Sequence, residues 1–162
     1  RETGGLDGCF FAHMEEIDLC WRLRSRGLSI VCIPQSTVFH VGAATLKKEN
    51  PRKTFLNFRN NLLMLYKNLP EKELKRVMFV RGVLDGVAAL VFLLKGEKEA
   101  ARAVLQARKE FKCIRPDFEA SRAENLEKTV SNVISERVDY SILWKYHAGR
   151  KKVFSSLPAL NK

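Results

Sequence analysis

Three carboxylates in four residues, Glu15, Glu16 and Asp18, set at the head of an apolar run, constrain this chain more than any other stretch. Met14, Ile17, Leu19, Cys20, Trp21 and Leu23 recur with the three-to-four-residue period that gives a helix one apolar side. The spacing predicts a helix from about His13 to Arg26, ended by Gly27. Arg22, Arg24 and Arg26 near its C-terminus match the negative end of the helix dipole. On this wheel Glu15, Asp18, Arg22 and Arg26 fall opposite the apolar arc, and Asp18 and Arg22 pair at i,i+4. Glu15 and Asp18 therefore read as a solvated helix start. Glu16 falls inside the arc, between Leu23 and Cys20. A carboxylate placed there is dehydrated, its pKa rises, and it becomes a useful base for a hydroxyl proton. The competing reading is a rim glutamate that turns out to water.

Beyond Gly27 the pattern changes. Ser29 to Ile33 is β-branched and apolar, a predicted strand stopped by Pro34, and Thr37 to Val41 reads as a second. Gly42-Ala43-Ala44 opens a loop, and the stretch from Lys47 to Lys53 is a polar connection. Helical spacing then returns. Phe55, Phe58, Leu62, Leu65 and Leu69, with Leu63 and Tyr66, predict a helix over Thr54 to Leu69, ended by Pro70. Its middle carries the polar insertion Arg59-Asn60-Asn61, which reads as a cap or a contact on the active-site side. Glu71 to Lys95 is the most apolar segment. Arg81 and Asp85 interrupt it, and its longest uncharged run, Gly86 to Leu94, is nine residues. A span needs about 20 apolar residues, so the segment reads as a helix lying in a membrane interface or one buried against its neighbours. After Gly96 come an Ala-rich basic helix, Glu97 to Lys112, and a further helix from Phe118 to about Glu136. Tyr140 to Tyr146, with Trp144, is followed by a basic tail.

Composition adds a partition of charge. The chain carries a net +11, yet residues 1–50 hold six basic and six acidic residues, so the whole excess lies in 51–162. Such a basic half suits an anionic partner, a lipid headgroup or a nucleic acid. The sequence carries no zinc-finger spacing, RNP signature or clear recognition helix, which disfavours nucleic acid. The four cysteines, Cys9, Cys20, Cys32 and Cys113, form no Cys-x-x-Cys pair and read as buried, reduced thiols. No signal-peptide pattern is present.

Motifs in order carry a resemblance. Gly-Gly-Leu-Asp-x-x-Phe-Phe at the start, then Met-Glu-Glu-Ile-Asp-Leu-Cys-Trp-Arg-Leu-Arg-x-x-Gly, Ile-Val-x-Ile-Pro and Val-x-His-Val-Gly, resemble the C-terminal half of a family 2 glycosyltransferase catalytic domain of GT-A fold. The likeness is to bacterial rhamnosyltransferase-like enzymes of cell-surface polysaccharide synthesis. It covers residues 1 to about 45, and 51–162 resemble the helical extensions of such enzymes more loosely.

The resemblance implies an α/β fragment, the C-terminal half of a nucleotide-diphospho-sugar transferase domain, followed by a mainly α-helical extension. The divisions are residues 1–50 as the acceptor and base side, 51–146 as the helical extension and 147–162 as the tail. It implies Glu16 as the general base, where Asp is commoner, with Glu15 its neighbour at the acceptor. Asp18 matches the family's third acid, a structural position counted here with the substrate-binding residues. His40 would complete a site for Mg²⁺ or Mn²⁺; read from the residues alone, a lone histidine is more often structural. His13 stands near the site. Lys47 and Lys48 lie in a loop suited to a diphosphate or simply solvated. The sequence has no Asp-x-Asp motif and no Gly-rich phosphate loop, so it reads as a fragment beginning mid-domain and inactive alone. The expected partners are a nucleotide-sugar donor, a glycan or lipid-linked acceptor, and an anionic membrane surface; the helices could equally form an oligomer. The expected location is cytoplasmic, peripheral at the inner face of the cell membrane.

Overall fold

A computed structural model describes residues 3–39, 50–132, 134–138, 140–150 and 152–157. Among them there is no strand, so the fold is all-helical and the expected α/β fragment is corrected. The strand expected at Ser29 to Ile33 fails for a plain reason, and so does Thr37 to Phe39, the described part of the second expected strand, whose end at His40 and Val41 lies outside the described residues. A strand stands only when its backbone finds a partner, and no described segment pairs with this one. Residues 29–39 run without regular structure, with Val31 at 76% and Phe39 at 95% exposure.

The chain divides into two compact units, Arg1–Val130 and Ser131–Lys162. The first holds α1 (Glu15–Ser25), α2 (Pro51–Asn68), α3 (Glu71–Leu94), α4 (Lys98–Ile114) and α5 (Glu119–Glu127). Each boundary has a local cause. Asn50 caps α2 by accepting from the Arg52 amide at 2.8 Å, and Pro51 follows at the first helical position. Leu69 is extended, as a residue before proline must be, and Pro70 opens α3. Gly96, at φ 81°, closes α3 while the Glu97 amide donates to the Phe92 carbonyl at 2.9 Å. These tight joints bring α4 back against both α2 and α3.

α2 is the central element. It packs on α4 most closely, and also on α1, α3 and α5. Phe10, Leu62, Leu63, Met64, Tyr66, Phe111 and Phe118 form the core, with Tyr66 and Phe111 edge to face at 6.1 Å. Each of the fully buried leucines contributes roughly 2–3 kcal/mol of transfer free energy. Arg122 of α5 closes the C-terminal end of α2. Its guanidinium donates to the carbonyls of Tyr66 and Leu69 and lies 5.1 Å from the Tyr66 ring centre.

α1 inverts the sequence expectation. Its buried residues are Asp18, Arg22 and Ser25, while Ile17 and Cys20 face outward. α3 does the same on a larger scale, as described below. The helix expected from Phe118 to about Glu136 ends at Glu127 in α5. In the second unit a short helix, α6 (Ile142–His147), starts at Ser141, whose hydroxyl accepts from the Trp144 amide. Trp144 is exposed there.

Candidate functional site

The segment leading into α1 is bent and held rigidly. Asp7 accepts from the Cys9 amide at 2.9 Å and starts a 3-10 turn over Gly8–Phe10, which drops Phe10 into the core. Phe11, His13 and Met14 then take positive φ values of 61°, 71° and 73°. Side chains avoid that region, and each such residue costs on the order of 1–3 kcal/mol unless its surroundings impose it.

Asn60 imposes it. Fully buried at 0% exposure, its amide nitrogen donates to the carbonyls of Phe10 at 2.9 Å, Ala12 at 2.8 Å and His13 at 2.8 Å. An amide has two N–H groups, so three acceptors share two hydrogens. Arg59 fixes which way that amide points by donating from Nε to Asn60 Oδ1 at 2.9 Å. The same guanidinium donates to the Cys9 carbonyl at 2.9 Å and to Glu110 of α4 at 2.9 Å. The polar insertion in an apolar helix is thus a clamp on the bend.

Below the bend lies a buried polar knot. Asp18, at 0% exposure, accepts from Arg22 Nε at 2.8 Å, Lys67 Nζ at 3.1 Å and Asn68 Nδ2 at 2.8 Å. Lys67 also donates to Asp7 at 2.7 Å, and Arg22 donates to the carbonyls of Thr3 and Gly5. Both oxygens of Asp18 are taken, so this residue, grouped above with substrate binding, holds α1 on α2 instead.

The other expected site residues fall as follows. Glu16 is exposed; the dry apolar niche expected around it is absent, because α1 turns its polar side inward. Glu15 and His13 are half-buried, and Glu15 Oε2 and His13 Nε2 are buried without a hydrogen-bond partner. Native structures rarely leave such atoms unmet. Met14 gives α1 no side-chain cap. His40, Lys47 and Lys48 lie outside the described residues. Glu15, Glu16 and His13 share the start of α1, and the structure adds Asn60 and Arg59, which the sequence reading offered as a cap or a contact on the active-site side, and Lys67, which it had not assigned. The Arg59-Asn60 interruption of an apolar helix was the available signal for two of them.

The clefts of this unit include one of about 690 Å³ between α2 and α4 at Arg52, Phe55 and Gln106, and one of about 320 Å³ at Asp7, Arg26 and Lys128. Neither is lined by His13, Glu15 or Glu16. No group of three His, Cys, Asp or Glu side chains among the described residues is placed to hold a metal ion. The described residues alone do not fit a metal centre.

Two titrating groups are shifted. For Asp7, burial pushes the carboxyl up, but the hydrogen bonds from Lys67 and the Cys9 amide, with the Lys67 charge, outweigh it and hold the group below its ordinary value. For Cys9, burial and then the neighbouring Asp7 charge push the thiol up. All four cysteines are free and exposed, which corrects the expectation of buried thiols. Compared with family models, curated proteins and solved structures, the chain matches none.

Proposed function

We propose that this chain is the acceptor side of an inverting, family 2-like glycosyltransferase of cell-surface polysaccharide synthesis. One observation carries the reading: a strained, clamped bend delivers Glu16 to the surface at the uncapped start of α1, beside unpartnered polar atoms of His13 and Glu15. Strain of this kind concentrates where geometry serves a ligand.

In the proposed step an acceptor hydroxyl attacks the anomeric carbon of a nucleotide-diphospho-sugar. The new C–O bond forms as the bond to the diphosphate breaks, the nucleoside diphosphate leaves, and the hydroxyl proton passes to the Glu16 carboxylate. Glu15 Oε2 and His13 Nε2 orient the sugar hydroxyls. Bound donor and acceptor, rather than the chain's own apolar arc, exclude water around Glu16. The divalent cation implied by the resemblance would need ligands beyond those described. The uncovered face of α1 and residues 29–39 would meet the sugar-nucleotide-binding half. A lipid-linked or polymeric acceptor places the enzyme at the cytoplasmic face of the membrane.

The test is sugar transfer by the intact gene product carrying this sequence, with nucleotide-sugar donors and lipid-linked acceptors. Glu16→Gln should lower turnover by about 10²–10⁴-fold with donor affinity unchanged. Retained turnover overturns Glu16 as base, and no transfer to any glycan acceptor overturns the reading.

A further inference from the structure

α3 is built inside out. The charges in its middle, Arg81 and Asp85, face the protein. Arg81 Nη2 lies 2.5 Å and Arg108 Nη1 of α4 lies 2.7 Å from the fully buried Asp85 carboxylate. Gly82 makes room for this: a Cβ there would sit 3.3 Å from the Arg108 guanidinium. The outward side is apolar. Phe79, Val83, Val87, Leu90 and Leu94 recur every three or four residues, all exposed, along roughly 22 Å of helix. By length and composition α3 could cross a membrane, with mean hydropathy 2.1 over its best window and only 11% of that window buried. The buried alternative of the sequence reading is thereby corrected.

A helix that pairs its charges inward and turns its apolar side out is folded for an apolar surround. Charge identifies which one. On α4, the helix packed against α3, Lys98, Arg102, Leu105, Lys109 and Lys112 are exposed and recur at spacings of four, three, four and three. They form one stripe. Lys72, Lys75 and Arg76 add exposed cations in the first turns of α3. Only Arg102 of the stripe has an ion pair among those described, an exposed one with Glu99. Lys72 and Arg76 lie on the same helical row as Phe79, at spacings of four and three, so the apolar face is headed by cations and offers a second copy no acids to meet them. A crossing α3 would draw the α4 cations into hydrocarbon, which is costly. An anionic bilayer surface satisfies both sides at once.

We infer that α3 lies in the plane of an anionic membrane, its Phe79–Leu94 face sunk at the headgroup–acyl boundary and the α4 stripe on the phosphates. This deepens the membrane placement proposed above, and its test reads lipid binding alone, so its failure leaves sugar transfer standing or falling separately.

The full 162-residue chain should float with phosphatidylglycerol-containing vesicles and weakly or not at all with pure phosphatidylcholine. The pair Val87→Glu and Leu90→Glu should cut partitioning by about tenfold or more, with an unchanged circular-dichroism melt. Lys109→Glu with Lys112→Glu should cost roughly fivefold per charge removed, on anionic vesicles only. Val87→Trp, read as added fluorescence, should be quenched best by bromine near the headgroups. Failure of the wild type to float, flotation unchanged by the glutamates, or best quenching at the acyl chain ends would each overturn the inference. So would an oligomer that the glutamates dissolve while the wild type binds no vesicle.

Discussion

Asn60 holds the bend before α1 through donor hydrogens that no other side chain on α2 can replace. Asn60→Ala leaves three carbonyls and the Arg59 Nε without their partner. Unmet buried polar groups cost about 1–3 kcal/mol each, so a loss of at least about 3 kcal/mol is expected in urea unfolding. Asn60→Asp should be worse, because it turns a donor into a charge facing carbonyl oxygens. Asp7 gives a pH handle. Its folded pKa lies below the ordinary 3.8, so the folded carboxyl binds fewer protons than the unfolded one at acidic pH. Its contribution is complete above 3.8 and is lost as pH falls through the folded value. The fall in stability with acid below pH 3.8 should therefore be shallower in Asp7→Asn. The same substitution removes the charge beside Cys9, and should speed alkylation of that thiol at pH 8.

At the scale of elements, the knot under α1 decides its orientation. Asp18→Leu would leave Lys67 and Arg22 buried without their shared acid, a change of about 3–5 kcal/mol. Gly27 ends α1 at φ 78°, and a Cβ there would lie 3.3 Å from Val130. Gly27→Ala should cost about 1–2 kcal/mol in a thermal melt. Helices α1 to α4 were legible in the sequence because periodicity and the marks Gly27, Pro70 and Gly96 are local, but α2 starts at Pro51, within the stretch read as a polar connection up to Lys53, because Asn50 caps it and Pro51 fits its first turn. The inward face of α1 was not. A wheel shows two faces but not which neighbour supplies Lys67 and Asn68, and those come from some fifty residues away. The strands were misjudged for a related reason: β-branched runs state a preference, but pairing requires a partner outside the run. Of the site, Glu15 and Glu16 at a helix start were readable, while the clamp by Asn60 needed tertiary placement.

For the whole molecule, the two compact units predict a cleavage pattern. Residues 131–138 hold a single basic residue, the exposed Arg137. Brief trypsin treatment should cut there and leave a fragment containing α1 to α5, identified by mass. The outward apolar stripe of α3 carries a different consequence. A surface that only the folded chain can offer to lipid couples folding to the amount of lipid present. Melting temperature is then no fixed property of this chain. It should climb with each increment of anionic vesicles, and detergent-free preparations will report the floor of that curve.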